Sequence, residues 1–80
     1  MHELGVLIRA VRTVDQMAKQ HNIERVKHIT LEVGKDSTFV PAYFEKLFPA
    51  AIDAFETMKD AILNIKMVEG RGLVIKDFGY

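Results

Sequence analysis

The sequence predicts an α+β domain in which two helices pack on one face of a small three-stranded mixed sheet. Three observations predict this fold class. Two segments carry apolar residues at three- and four-residue steps, the spacing of amphipathic helices, and the segment between them alternates apolar and polar residues as a half-buried strand does. The last quarter of the chain holds two more segments of strand length around a pair of glycines. The element order is α-β-α-β-β, and residues 1–80 are interpreted as one domain.

The first helix is predicted from about residue 3 to residue 21. An apolar stripe at helical spacing runs along it and consists of Leu4, Leu7, Ile8, Val11, Val14 and Ala18. Asn22 follows the last residue of this pattern. Because asparagine tolerates the left-handed backbone conformation that ends helices, we expect the helix to stop near His21.

The first strand is predicted from Val26 to Val33. Its apolar side chains at Ile29, Leu31 and Val33 alternate with polar ones, so one face of the strand should be buried and the other exposed. Residues 34–38 have the composition of a loop, which ends the strand.

A second helical segment is predicted from about residue 41 to residue 58. Pro41 suits the first helical position, where its missing N–H costs nothing. Helical spacing then relates Phe44, Leu47, Phe48, Ala51, Ile52 and Phe55. Pro49 interrupts this stripe, and a proline in a helix interior costs about 3 kcal/mol. Since the spacing stays in phase across Pro49, a kinked helix is favoured over two short helices of which Pro49 opens the second.

Two final strands are predicted at about 61–68 and 73–78, separated by Glu69, Gly70, Arg71 and Gly72. The two glycines can supply the positive φ values of a tight hairpin. Because a helix joins the first two strands, these should lie parallel with a right-handed crossover. The third strand is expected to return antiparallel beside the second, which leaves one face of the sheet wet or available to a partner.

Composition excludes several classes of function. The chain has 11 Lys plus Arg and 11 Asp plus Glu, and this net charge of +0 favours neither nucleic acid nor an anionic membrane as a partner. It has no cysteine, which fits the cytoplasm, and no apolar run approaches the roughly 20 residues of a membrane span. The sequence contains no phosphate-binding glycine loop, nucleophile elbow or paired-histidine zinc helix. We therefore expect a cytoplasmic protein that is not an enzyme.

The first three residues form a candidate metal site. A free α-amino group on Met1, the backbone amide of His2 and the His2 imidazole can close adjacent chelate rings around one metal ion. The fourth in-plane donor is the Glu3 amide nitrogen or an exogenous ligand. Planar nitrogen sets of this kind suit Ni(II) and Cu(II), and suit Zn(II) or Mg(II) much less. The amine and the imidazole must lose protons to bind, so binding should weaken as the pH falls from about 8 to about 6.

Other candidate residues have structural interpretations. Glu3 can stabilise the first helical turn through the helix dipole as readily as it can bind metal, and its side chain is interpreted as orienting or structural. His21 is expected at a helix C-terminus, where positive charge is favourable, and His28 on an exposed strand face. The residues expected in the core include Phe44, Phe48, Phe55, Met17 and Met58. We expect Val74, Phe78 and Tyr80 to leave apolar surface uncovered on the open face or edge of the sheet. Such a surface favours self-association.

These features resemble the HypA family of hydrogenase nickel-incorporation proteins. Five landmarks in order carry the resemblance: Met1-His2-Glu3-Leu4, an N-terminal helix, the strand Ile29-Thr30-Leu31-Glu32-Val33-Gly34, Val40-Pro41 at the start of a second helix, and Leu63-Asn64-Ile65. The resemblance implies that Met1, His2 and Glu3 hold Ni(II) and that the chain delivers it for hydrogenase or urease maturation. It also implies two partners, a GTPase of the maturation system and a hydrogenase precursor, and leaves a homo-oligomer open.

One part of the family pattern is missing from the sequence. Family members carry a zinc domain with two Cys-x-x-Cys pairs, placed between a Leu-Glu-Ile strand and a final strand that often starts Gly-Arg-x-Leu. Here Gly70-Arg71-Gly72-Leu73 resembles that final strand and follows only a short turn, and the chain has no cysteine. The resemblance therefore implies the nickel-binding half of the family pattern without zinc. The alternative is an interaction or scaffold module that has lost metal delivery and acts through homo- or hetero-oligomerisation.

Overall fold

The computed structural model describes residues 3–80, and its elements follow the predicted order α-β-α-β-β, which confirms the fold class. The elements are helix α1 (Glu3–Gln20), strand β1 (His28–Gly34), helix α2 (Pro41–Ile52), a 3₁₀ turn (Glu56–Met58), strand β2 (Ile62–Val68) and strand β3 (Leu73–Gly79). Among residues 3–80, no helix combines the length and the apolar character needed to cross a membrane.

Helix α1 ends as its sequence predicts. Asn22 adopts a left-handed conformation with φ of 59°, the only non-glycine residue in the range 3–80 with positive φ. The Ile23 N–H donates to the Ala18 carbonyl at 2.8 Å, and the Asn22 N–H donates to the Lys19 carbonyl at 3.2 Å. This pair of bonds is the Schellman motif, which satisfies carbonyls that the end of a helix leaves without partners. The predicted stop near His21 is confirmed.

Strand β1 lies at the centre of the sheet, whose strand order is β2-β1-β3. Its side chains Ile29, Leu31 and Val33 are buried on the face that the helices cover, while His28 and the other alternating residues lie on the opposite face. Strands β1 and β2 pair in parallel over their full length, as predicted for strands joined through a helix. The core therefore forms between β1 and the two helices.

The predicted position of the third strand is wrong, because β3 pairs with β1 and not with β2. Residues 69–72 form no hairpin; they cross over the end of β1 instead. The Gly34 N–H donates to the Gly72 carbonyl at 2.7 Å, the Lys35 N–H to the Val68 carbonyl at 2.8 Å, and the Asp36 N–H to the Gly70 carbonyl at 2.9 Å. This arrangement gives the most buried strand a neighbour on both edges, which outweighs the local hairpin signal of two nearby glycines.

The predicted extent of the second helix is also wrong. Helix α2 ends at Ile52, and Pro49 lies inside its last turn. Pro49 therefore does not begin a second helix, and the helix does not continue past it to residue 58. The Asp53 N–H bonds the Ala50 carbonyl at 3.4 Å, three residues back, which tightens the helix end. Phe55 is then extended, with φ of −119° and ψ of 104°, and the 3₁₀ turn begins after it.

The core contains most of the predicted residues. Phe44, Phe48 and Met58 are buried, and Phe55 packs against them half-buried. Met17 is an exception, because 42% of its surface is exposed. Met17 lines a shallow groove together with Val74 and Phe78 of β3. Its helical spacing alone therefore predicted its burial wrongly.

One buried polar contact joins the 3₁₀ turn to α1. The Thr57 hydroxyl donates to Asp15 Oδ1 at 2.6 Å, and Lys19 Nζ lies 3.2 Å from Asp15 Oδ2. Asp15 and Thr57 are both buried, so each oxygen of the carboxylate has a partner where water cannot supply one. The contact fixes the segment after α2 against the first helix.

The crossing over β1 predicts an unequal effect of alanine at two glycines. A Cβ on Gly34 would overlap the Gly70 carbonyl oxygen and lie 2.8 Å from the Arg71 amide nitrogen, both of them backbone atoms that cannot move aside. Gly34→Ala should therefore lower the free energy of unfolding by about 1–3 kcal/mol. Urea denaturation followed by circular dichroism measures this loss.

The matched control is Gly5→Ala, because Gly5 is an exposed helical residue with nothing within 4 Å of an added Cβ. Alanine there should raise the free energy of unfolding by about 0.5–1 kcal/mol through its higher helix propensity. Equal stabilities of the two variants would show that the connection does not press on Gly34.

Candidate functional site

The candidate metal site lies at the start of α1. Met1 and His2, two of its three predicted residues, lie outside the described residues 3–80, whereas Glu3 is the first residue of α1. Glu3 is only 7% exposed, although it is a charged residue at the beginning of a helix. Of the three predicted residues, only Glu3 is therefore described with its surroundings.

The Glu3 side chain joins the beginnings of the two helices. Its Oε2 accepts a hydrogen bond from the Val40 backbone N–H at 3.3 Å. Val40 is the N-cap residue of α2, and it makes no side-chain cap of its own because valine has no acceptor. The negative carboxylate thus lies at the positive end of the α2 dipole, where it is favourable. The contact supports the structural interpretation of this side chain, through a partner 37 residues away in sequence.

A groove opens on the surface beside Glu3. It has a volume of about 410 Å³ and is lined by Glu3, Leu4, Tyr43, Lys46 and Leu47. Leu4 and Tyr43 are 39% and 52% exposed, so large apolar side chains remain in contact with water on both helices. The start of α1 therefore adjoins a mostly apolar surface that carries one positive charge.

The other two histidines lie away from the candidate site. His21 is exposed just after the C-terminal end of α1, and an 18-residue helix spans about 27 Å, so His21 cannot join ligands at the other end. His28 lies on the sheet face opposite the helices, where its Nε2 is 3.6 Å from Asp77 Oδ1 on β3. No three His, Asp or Glu side chains within the described part of the chain gather as a metal cluster.

Sequence reasoning missed two contacts that shape the site and its support. The first is the bond between Glu3 and Val40, for which the sequence holds a signal: Tyr43, at the third position of α2, is not the Glu or Gln that would accept from the Val40 N–H within the helix. The second is the buried bond between Asp15 and Thr57. The sequence holds a signal for this bond too, because Asp15 lies four residues after Val11 and three before Ala18, a charged residue within the apolar stripe of α1.

Comparison with known proteins identifies the family of the chain. A sequence model described as "Hydrogenase/urease nickel incorporation, metallochaperone, hypA" matches residues 1–74. The chain belongs to the HypA family. The match covers the terminal residues 1–3 together with both helices and the start of β3, so the resemblance of the sequence to HypA is confirmed over nearly its whole length.

Two relatives give the extent of the similarity. The Hydrogenase maturation factor HypA of Methanosarcina barkeri (strain Fusaro / DSM 804) is 34% identical over 68 residues, which cover 85% of this chain and 50% of the relative. The chain thus spans about half the length of that relative. The solution structure of the Ni metallochaperone HypA from Helicobacter pylori matches with a TM-score of 0.78 and 19% identity, covering 96% of this chain and 72% of that one. This second likeness shows that the HypA family member shares the fold.

The contact between Glu3 and Val40 predicts the effect of removing the carboxylate. Glu3→Ala takes the acceptor away from the Val40 N–H in a partly buried setting and should lower the free energy of unfolding by about 0.5–1.5 kcal/mol. Glu3→Gln keeps a side-chain oxygen and should cost less. Urea denaturation of both variants measures the difference.

A suitable control is Glu45→Ala, since Glu45 is exposed on α2. It should change the free energy of unfolding by less than about 0.5 kcal/mol. If Glu3→Ala is as stable as Glu45→Ala, the bond to Val40 does not stabilise the fold.

Proposed function

We propose that this protein is a cytoplasmic nickel-binding metallochaperone that holds Ni(II) at Met1, His2 and Glu3 and delivers it for hydrogenase or urease maturation. The observation that carries the proposal is the match to the nickel-incorporation family, which begins at residue 1 and so includes the terminal residues. The metal is cargo, and the protein needs no chemistry beyond binding and release.

The proposed ligands are nitrogen atoms, namely the α-amine of Met1, the backbone amide of His2 and the His2 imidazole. These atoms are close neighbours in the covalent structure, so the chelate rings need no long-range folding to form. Square-planar nitrogen coordination suits Ni(II). The zinc ion of the wider family pattern is not part of the proposal, because the chain has no cysteine to bind it.

The Glu3 backbone amide is the proposed fourth donor. Glu3 is the first residue of α1 and follows His2 directly, so its amide nitrogen is the next backbone nitrogen along the chain after the chelating pair. Its carboxylate is meanwhile bonded to Val40, so the residue that follows the chelating pair is anchored on the folded domain. Anchoring of this kind lowers the ordering cost of binding.

Delivery requires a recipient. A GTPase of the maturation system and a hydrogenase precursor are the proposed partners, in keeping with the relative named as a hydrogenase maturation factor. The exposed apolar residues Leu4 and Tyr43 beside the start of α1 would adjoin the cargo during such a transfer.

A second candidate function is favoured by the short connection of residues 69–72. This segment joins β2 to β3 directly, at the place where the family pattern has a zinc domain. The chain would then be an interaction module that has kept the fold and lost metal delivery. Replacement of His2 would have no effect on such a module.

Nickel titration by calorimetry tests the proposed site. The native chain should bind one Ni(II), whereas His2→Ala and a chain with extra residues before Met1 should bind at least about tenfold more weakly, a loss of about 1.4 kcal/mol or more. The reason is that the first variant lacks the imidazole and the second lacks the free amine beside His2. Affinity should also fall between about pH 8 and pH 6, as both groups gain protons.

The matched control is His21→Ala, which removes an exposed histidine at the far end of α1 and should leave the affinity unchanged. Glu3→Ala should still bind nickel because the backbone amide remains, but more weakly than the native chain because the anchor at Val40 is lost. Native affinity in the extended chain would refute the terminal site, and no nickel binding by the native chain would favour the interaction module.

A further inference from the structure

The two free edges of the sheet differ in how they are protected. Strand β3 carries an irregularity opposite the step from Thr30 to Leu31, where Lys76 is the extra residue between Ile75 and Asp77. Bulges and charged side chains on an edge strand hinder pairing with another chain. Strand β2 pairs with β1 over seven residues without any shift in register. Its outer edge is therefore straight, and Lys66 is the one charged residue of the strand.

The hydrogen bonds of β2 show which backbone groups face outward. The Ile62 N–H donates to the Lys27 carbonyl at 3.0 Å, and the Val68 carbonyl accepts from the Lys35 N–H at 2.8 Å. Because consecutive residues of a strand direct their backbone groups to opposite sides, the even-numbered residues from 62 to 68 face β1. Leu63, Ile65 and Met67 face outward, and within residues 3–80 no other segment bonds to their backbone groups.

We propose that the outer edge of β2 pairs antiparallel with the same edge of a second copy of this chain, about a two-fold axis at Ile65. In this register Ile65 lies opposite its own counterpart, and Leu63 lies opposite Met67 of the other copy. The residues with outward-facing backbone groups thus meet one another. Each such pair exchanges two N–H to carbonyl bonds, as in the hydrogen-bonded pairs of an antiparallel ladder.

The side chains match in the same register. On the helix-covered side, Leu63 meets Met67, which is 42% exposed in the single chain. On the other side, Ile62, which is 60% exposed, meets Val68, and the polar Asn64 meets Lys66. Apolar residues face apolar ones and polar residues face polar ones, the arrangement that stabilises cross-strand pairs.

Neighbouring registers fit less well. An axis at Asn64 would place Lys66 opposite Ile62 and would leave Met67 opposite Ala61, which lies outside the strand. An axis at Lys66 would set two lysines directly against each other, and like charges in that position are destabilising. The outer edge of β2 is complementary to itself in the register centred on Ile65. The partner strand is therefore assigned to a second copy of this chain.

The pairing would join two three-stranded sheets into one sheet of six strands, with the helices of both copies on the same face. A net charge of +0 sets up no overall repulsion between the copies. A single strand edge buries less than the roughly 1,200–2,000 Å² of a stable interface. The dimer is therefore weak and reversible, and forms at high chain concentration.

Sedimentation equilibrium tests the proposal over about 10 μM to 1 mM chain, a range that suits an interface of this size. A chelator is present throughout, so that nickel bridging cannot contribute and a failed nickel site does not affect the result. Asn64→Asp places a carboxylate opposite Lys66 of the other copy, and Asn64→Lys places like charges there. The first variant should dimerise at least about fivefold more tightly than the second.

The matched control is Val74→Asp and Val74→Lys at an exposed position of β3. These two variants should dimerise equally well. A chain that stays monomeric to 1 mM would overturn the proposal, and so would equal dimerisation of the two Asn64 variants. A charge effect at Val74 alone would assign the interface to the other edge. Circular dichroism checks that each variant is folded.

Cross-linking supplies a second readout that does not depend on charge. Because the chain has no cysteine, Asn64→Cys and Val74→Cys each introduce a single thiol. In the proposed dimer the two residues 64 lie about 8 Å apart and the two residues 74 about 24 Å apart, from the strand spacing of a continuous sheet. A short bis-maleimide should join the first variant only. Cross-linking of the second variant alone, or of neither at 1 mM, would refute the pairing of β2.

Discussion

The burial of strand β1 is the constraint on which the rest of the structure depends. Ile29, Leu31 and Val33 are almost fully buried on one face, so two helices must cover that face. A strand with such a face also needs bonded neighbours on both edges, because unpaired backbone groups beside an apolar core are costly. Strand β2 fills one edge in parallel and β3 fills the other antiparallel. The crossing of residues 69–72 over Gly34 follows from this requirement.

The same requirement links the core to the candidate metal site. Helix α1 places Leu7, Val11 and Val14 on the core, which fixes the position of its first residue. Glu3 then contacts the uncapped beginning of α2, so the start of one helix is held by the start of the other. Glu3, the one described residue of the candidate site, therefore lies at a well-packed corner between two helices.

Local patterns predicted most of the elements, because their causes are local. The end of α1 at Asn22 needs only the tolerance of asparagine for positive φ, and the alternation around Leu31 needs only one buried face. The strand order could not be predicted in this way. Gly70 and Gly72 suit a hairpin and also suit a crossing, and the choice is made by Gly34, which is distant in sequence and leaves room for the connection. The bond between Glu3 and Val40 is likewise non-local, although the missing cap at Val40 hints at it.

The connection between β2 and β3 has a consequence for how the chain can change. Val68 and Gly72 are bonded to the consecutive residues Lys35 and Gly34, so both ends of the connection are already gathered at one point on the rim of the sheet. A longer polypeptide spliced in there would begin and end almost where the present one does. The length of this segment can therefore change during evolution while the strands keep their register. A protein engineer can use the same position to insert another domain.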